Sequence, residues 1–299
     1  MIIGVGQMSI GILYESHEWS STVLRKYIAQ QGIKVDLIDL ETEVDIDEIL
    51  KHDVIVNRVF ASAQFRGHHK SLQVVEELLD EIKSSNIELI NSYQAHFYEI
   101  SKLRTTNKLA KLGFSVPETY DVFNGGQKPN FDEVEYPCVL KPDCGGRTNY
   151  TYILEDESEL KAALIEIEDC DFEFVMQEYI STTKGYITRI EVVGNELHSV
   201  LKRSVVEEGL SAYNLGSEYE SYSDCPQIII DTALEAIKEL EMELGSLDII
   251  ETKDDFYIID VNSVSNFAPE NIEMFGFNLI KDVADYIVKR YRQIVTSDQ

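Results

Sequence analysis

The sequence predicts a chain of mixed class, α/β in its first third and α+β beyond, on three observations. Strand and helix signals alternate through residues 1–100. From Ser101 the pattern becomes short strands around isolated helices, and after Gly185 two long alternating strands run back to back across Gly194-Asn195. Alternating β and α elements bury their faces as a helix-covered parallel sheet, whereas hairpin-linked strands make antiparallel sheets. The expected units are 1–100, 101–184 and 185–299; no repeat or low-complexity linker separates them, so they should pack as one body.

The elements follow in order. Gly11–Tyr14 closes a first strand. Ser20 or Ser21 is placed to cap a helix whose Val23, Leu24, Tyr27 and Ile28 follow three-four spacing, and Gly32 is its stop. Ile33–Leu40 and Asp53–Asn57 are further strands, Ser71–Lys83 a helix and Ile87–Asn91 a short buried strand. In the second unit Ser101–Leu112 is a helix closed by Gly113. Strands Tyr136–Lys141, Tyr150–Leu154 and Phe172–Tyr179 then surround a helix begun near Asp156. The third unit has strands Tyr186–Val193 and Glu196–Arg203 joined by a tight turn. A helix Ile230–Leu244 stopped by Gly245 follows, then strands Ser246–Glu251 and Phe256–Val261 and a last helix from Leu279 to Gln293.

A length of 299 residues with 44% hydrophobic side chains supports about two packed domains rather than a disordered chain. The 54 acidic and 26 basic residues leave a charge of −28, which argues against a nucleic-acid binder because a phosphate backbone needs a basic footprint. It weakly favours an amine-bearing or cationic acceptor through steering. No run approaches the apolar length of a membrane helix and the N-terminus lacks signal-peptide features, so a cytoplasmic protein without membrane partners is expected. Cys138, Cys144, Cys170 and Cys225 lack metal-ligand spacing and read as free thiols. The run Gly4 to Gly11 imitates a dinucleotide fingerprint, but Ser9 stands where the third glycine belongs and the run lies in the strand rather than the turn after it.

Three places carry chemistry. Val139-Leu140-Lys141-Pro142 ends an apolar strand in a lysine and runs into Gly145-Gly146-Arg147-Thr148-Asn149. Exposed backbone N–H groups and a fixed cation can hold phosphate; an ordinary turn after a solvated strand end is the alternative. Val175 to Ile180 is an apolar strand interrupted by Gln177-Glu178, either an edge strand or a backbone edge for a purine base with apolar neighbours about the ring. Asp260 and Asn262 share one face of a strand, with Asp248 on its neighbour. Such oxygens inside apolar strands suit a magnesium ion bridging phosphates.

Taken together, Ser101-Lys102, Leu140-Lys141-Pro142 with Gly145-Gly146, Gln177 to Ile180, Arg189 with Val192-Val193-Gly194, Lys202-Arg203 and Asp260 to Ser263 resemble the ATP-grasp ligases, within them the RimK-like amino-acid and peptide ligases. Asn57 to Phe60, Ile90 to Tyr93 and Leu112 to Pro117 extend the likeness over nearly the whole chain. The resemblance implies an N-terminal α/β domain, a central lid and a C-terminal antiparallel-sheet domain, with ATP between the last two. It implies phosphate contacts from Lys102 and Lys141, an adenine hinge at Glu178, Tyr179 and Ile180, and further cofactor contacts from Gly145, Gly146, Arg147, Gln177 and Ile259. Asp248, Asp260 and Asn262 would hold Mg²⁺, two ions with Mn²⁺ as a substitute, and Arg189 and Arg203 would face the transferred phosphate. The implied activity is an ADP-forming carboxylate–amine ligase joining small-molecule or peptide acids and amines through an acyl phosphate. A phosphotransferase or a non-catalytic nucleotide-binding protein on the same fold is the alternative. A homodimer is the common form of self-association.

Three positions depart from the family pattern. Asp260 stands where glutamate is usual, Ile187 replaces the ribose-contacting acid so that Lys184 or solvent takes that role, and Arg147 makes the glycine loop bulky. Elsewhere, His68-His69 reads as a solvated loop, Trp19 as packing, Tyr213, Tyr219 and Tyr222 as either a surface loop or a cleft lining, and Glu76-Glu77 and Glu239-Glu241-Glu243 as solvated helix faces.

Overall fold

In the computed structural model the described residues are 9–85, 87–132, 134–206, 209–212, 215–265 and 269–297. Most of the glycine run before Ser9, and Tyr213, lie outside them.

The first sheet is parallel, in the order β2-β1-β3-β4, from β1 (Ser9–Tyr14), β2 (Lys34–Asp39), β3 (Val54–Asn57) and β4 (Glu88–Ile90). Helices α1 (Trp19–Ala29), α2 (Ile46–Ile49) and α3 (His69–Lys83) and a 3-10 turn Ala61–Phe65 connect it. The cap of α1 differs from expectation. Glu18 is the N-cap, its buried carboxylate accepting the Ser20 and Ser21 N–H groups at 3.1 and 2.8 Å while both serine hydroxyls donate to it. The serines that looked like caps are donors to a longer acidic cap.

Helices α4 (Tyr93–Glu99) and α5 (Lys102–Leu112) follow. Ser101 caps α5 through the Arg104 N–H, and Gly113 ends it at φ 89°, the left-handed conformation that glycine adopts without strain. The central antiparallel sheet, in the order β5-β8-β6-β7, comprises β5 (Thr119–Asn124), β6 (Cys138–Pro142), β7 (Tyr152–Leu154) and β8 (Glu173–Glu178), with α6 (Glu157–Glu166) between the last two. Strand β5 was not anticipated, because its Thr-Tyr-Asp-Val-Phe-Asn sequence mixes turn and strand residues.

The third sheet, β11-β10-β9-β12-β13, is antiparallel and built from β9 (Tyr186–Val193), β10 (Glu196–Ser204), β11 (Tyr219–Ser221), β12 (Leu244–Glu251) and β13 (Phe256–Asn262). Helix α7 spans Gln227–Glu239, not Ile230–Leu244. The three-four apolar spacing carries on past the helix end, but Leu244 pairs with Val193 and Gly245 lies inside β12, where a Cβ would sit 2.8 Å from the Asn262 carbonyl oxygen. Helices α8 (Pro269–Phe275) and α9 (Leu279–Ser297) complete the order.

The cores do not follow the chain order. Leu279, Val283, Ala284, Ile287 and Val288 of α9 pack with Ile10, Ile12, Leu24 and Ile28 on the first sheet. Ala95 and Leu109, from α4 and α5, join the core beneath the third sheet with Ile190, Ile237 and Leu247. The sheets are therefore held together by helices from other stretches of sequence. No helix among the described residues is long and apolar enough to cross a membrane.

Candidate active site

A cleft of about 620 Å³ is lined by residues of the second and third sheets and by helix and turn residues of the first unit, a volume in the range of small-molecule sites. One part is an apolar slot. On the central sheet Ile153 lies opposite Val139, which lies opposite Gln177. Facing them, Ile180, Ile187 and Ile250 form a small core with Ile259 against it. The strand exit Gln177 to Ile180 runs along the slot, and the Gln177 amide donates to Thr106 and Thr119 at 3.3 and 3.1 Å, which fixes that exit.

Beside the slot stand the cations. Two residues beyond Val139 on the same strand face, Lys141 is half-buried with Nζ 3.4 Å from the Ile259 carbonyl. Burial pulls it down to about 8, with Lys102 adding to the fall and Asp260 and Asp143 opposing it. The Lys102 Nζ, in the first turn of α5, donates to the Gly145 carbonyl at 2.8 Å and lies 3.9 Å from Asp260 Oδ1. The glycine loop is seated on the first unit: a Cβ on Gly145 would lie 2.4 Å from the Phe65 Cε2, and one on Gly146 would come 3.2 Å from the Ser62 Cβ. Glycine is the side chain this approach accepts.

The register of the third sheet places Arg189, Asp248 and Asp260 opposite one another on β9, β12 and β13. Directly opposed residues project from the same sheet face. Asp248 is buried; its Oδ1 accepts Arg189 Nη1 at 3.1 Å and its Oδ2 accepts Arg203 Nη2 at 2.7 Å. Arg189 also donates to Glu191 Oε1 at 2.6 Å and to Ser246 Oγ at 2.7 Å. Burial opposes both arginine charges, but Glu191 and Asp248 hold Arg189 protonated and Asp248 does the same for Arg203. Asp260 and Asn262 are neighbours on β13, the amide 3.4 Å from the carboxylate.

Of the residues singled out from sequence, Lys102, Lys141, Gly145, Gly146, Arg147, Gln177, Glu178, Tyr179, Ile180, Arg189, Arg203, Asp248, Ile259, Asp260 and Asn262 all line this cleft. Lys184 stands elsewhere, in an ion pair with the buried Glu251, whose other oxygen accepts Thr188 Oγ1 at 2.7 Å. Sequence reasoning passed over Glu191, Glu251 and Glu99. Glu191 had a signal, since it shares a strand face with Arg189 in an otherwise apolar run. Glu99 is buried, accepts the Ala61 and Ser263 N–H groups at 3.0 and 2.5 Å, and burial raises it to about 7. It thereby links the loop after β13 to the turn after β3.

Other readings change as well. His68 is no solvated loop residue; its Nδ1 lies 2.8 Å from the buried Glu15, and His69 opens α3. Trp19 is 42% exposed and lines the cleft rather than packing. Tyr219 lines the cleft, while Tyr222 is buried. Glu243 is not a solvated acid, since it pairs with Tyr286 and Arg290.

The donor set fits a magnesium nucleotide. Two lysines and two arginines around an apolar slot complement a base carrying a chain of phosphates. Among the described residues no group of three or more His, Cys, Asp or Glu side chains can hold a metal. Asp260 and Asp248 with the Asn262 amide oxygen match the one or two carboxylates that Mg²⁺ commonly takes beside phosphates and water. Each Asp248 oxygen retains a second lone pair beyond its arginine, so its carboxylate remains available to an ion.

Comparison with known proteins agrees with this geometry. Residues 100–287 match the RimK-like ATP-grasp domain, and the chain belongs to that family. It is 28% identical over 182 residues to a D-alanine–D-alanine ligase of Clostridium botulinum, a match covering 56% of this chain and 60% of that one, less than two thirds of the relative's length. A probable alpha-L-glutamate ligase of Vibrio atlanticus is 24% identical over 94% of each chain. The fold is that of the Bacillus anthracis D-alanine–D-alanine ligase complexed with ATP, at TM-score 0.71 and 17% identity over 98% of this chain and 100% of that one.

Proposed function

We propose that the chain is an ADP-forming carboxylate–amine ligase, with the convergent cations of the cleft as the observation that carries the reading. Lys102, Lys141, Arg189 and Arg203 converge beside Asp260 and Asn262 at the mouth of an apolar slot. A carboxylate does not react with an amine until its oxygen becomes a leaving group. In the proposed reaction a substrate carboxylate oxygen attacks the γ-phosphorus of ATP and ADP departs. The amine then attacks the acyl carbon, phosphate leaves, and the amine loses a proton to give the amide. Phosphoryl transfer of this kind needs positioning and charge neutralisation rather than a protein nucleophile.

Roles follow from position. Lys141 and Lys102 neutralise phosphate oxygens, the Gly145-Gly146 loop presents backbone N–H groups, and Arg189 and Arg203 face the transferred group. Asp260, Asn262 and Asp248 hold Mg²⁺, two ions in this reading with Mn²⁺ as a substitute; the metal supplies charge neutralisation between phosphates. The division into 1–100, 101–184 and 185–299 is part of the same reading, supported by one sheet in each stretch. The test is ADP release in a pairwise screen of amino acids and small amines. Lys141→Ala and Asp260→Ala should each abolish substrate-dependent turnover, and full activity in either variant overturns the mechanism.

A further inference from the structure

The first unit contributes Trp19, Phe60, Ala61 and Ser62 to the cleft wall. Arg58 Nη2 donates to Ser20 Oγ at 2.8 Å, tying the exit of β3 to the first turn of α1 and bringing the Trp19 and Phe60 segments together. Trp19 remains 42% exposed at the edge of the cleft, whose other large apolar residues are buried or half-buried. An indole in that setting is a surface for a ligand, because covering it removes a large apolar area from water.

The charges on this wall decide what it accepts. Glu15 is buried and holds Arg66 and His68. Glu18 is engaged by Ser20 and Ser21, and Glu99 by two backbone N–H groups. Arg66 lies over the Phe60 ring at 4.6 Å, and Arg147, Arg189 and Arg203 line the adjoining cleft. The carboxylates of the first unit near the shelf are thus committed within the protein; Arg66, Arg189 and Arg203 are ion-paired as well, and Arg147 lines the adjoining wall. A cationic side chain placed on this shelf finds Glu15, Glu18 and Glu99 already engaged, whereas an apolar side chain attached to a carboxylate meets aromatic rings with guanidinium donors in the adjoining cleft.

We propose that Trp19 and Phe60 form the side-chain subsite for the acid substrate, and that this substrate is an amino acid or peptide carrying an apolar or aromatic side chain. The proposal rests on the ligase reading above and narrows its substrate.

Trp19 is the only tryptophan of the chain, so its emission reports occupancy of the subsite without turnover. The full chain, with Mg²⁺ and a non-hydrolysable ATP analogue, is titrated with L-phenylalanine, L-leucine, L-glutamate and L-lysine. Each is supplied free and as the C-terminal residue of a glycyl dipeptide. Phenylalanine and leucine compounds are expected to change the emission saturably at concentrations roughly tenfold or more below the glutamate and lysine compounds. In turnover, Trp19→Ala should raise KM for the apolar acid about tenfold while KM for ATP stays unchanged, and Trp19→Phe should recover most of the loss. A preference for glutamate or lysine, no emission change with any compound, or an unchanged acid KM in Trp19→Ala overturns the subsite. Saturable binding of the apolar acids without ADP release from any acid–amine pair would support the subsite and remove the ligase reading.

Discussion

Replacing Asp248 by asparagine tests the charge network at the centre of the cleft. The wild-type carboxylate is 4% exposed and accepts one guanidinium on each oxygen, Arg189 at 3.1 Å and Arg203 at 2.7 Å. An asparagine oxygen can accept from one of them, but its NH₂ then faces the other, which has no lone pair to offer. Arg189 retains Glu191 at 2.6 Å and Ser246, so the loss falls on Arg203, whose Nε keeps Ser211 Oγ at 2.9 Å. Removing one partner of a buried pair costs about 3–5 kcal/mol, and the retained bonds put this case near 3. At about 2 °C per kcal/mol the melting temperature should fall by roughly 6 °C. Loss of a positioned cation from the reacting phosphate should lower kcat by about 100-fold or more. Burial alone would raise the Asp248 carboxyl, but Arg203 and Arg189 outweigh it and hold the group below its ordinary 3.8. A depressed folded value means the stabilisation is fully present above the ordinary value and disappears as pH falls through the native one. The gap between wild type and variant should therefore be constant between about pH 5 and 8. Thermal melts across that range, at low and high salt, measure it. A variant melting within about 1 °C of wild type, or a deficit that salt removes, would refute a buried network.

Two further outcomes follow from single residues. Burial, reinforced by Lys102, brings Lys141 to about 8 against Asp260 and Asp143, so the nucleotide-free enzyme loses this cation as pH rises through that value. KM for ATP should climb above about pH 8, approaching tenfold per unit, and Lys141→Arg should flatten the profile because a guanidinium stays charged. Gly194 turns between β9 and β10 at φ 67°, and an added Cβ would lie 2.5 Å from Tyr286 Cε2; Gly185, at φ 70°, has open space there. Urea melts should show Gly194→Ala losing about 2–3 kcal/mol and Gly185→Ala only about 1, since both carry backbone strain and one adds a clash.

How much of this was readable in advance depended on how local the cause was. The Tyr186–Val193 strand matched its expected bounds because its pattern and its Gly194-Asn195 turn lie within a few residues. Asp260 and Asn262 shared a face by period two alone. The α1 cap failed because the competition between Glu18 and two serines is settled by burial, to which propensity is blind. Helix α7 failed at its end because Leu244 serves pairing with a strand fifty residues earlier, a long-range demand that overrides the continuing helical spacing. Trp19 was misread for the same reason, and the Lys184 ion pair with Glu251 was equally out of reach. Whether a lysine meets Glu251, or an indole faces a cleft, is decided by partners distant in sequence.

The whole-chain charge of −28 and the cleft point in opposite directions, and the structure accounts for both. Exposed acids on helices such as α3 act at long range through solvent, where salt screens them within about 8 Å at physiological strength. Cations in the cleft act at short range in a less polar medium, where each counts for more. Most acids of the cleft region are already matched, Asp248 by two arginines, Glu99 by two N–H groups and Glu15 by Arg66 and His68, while Asp260 stays partly exposed beside Lys102. Net composition therefore says little about what binds. The steering toward cationic acceptors that composition suggests stops at the surface, and at the Trp19 wall the carboxylates of the first unit are engaged within the protein. An acidic exterior can coexist with an anion-binding interior because the two fields act over different distances, and the nearer one determines the occupant.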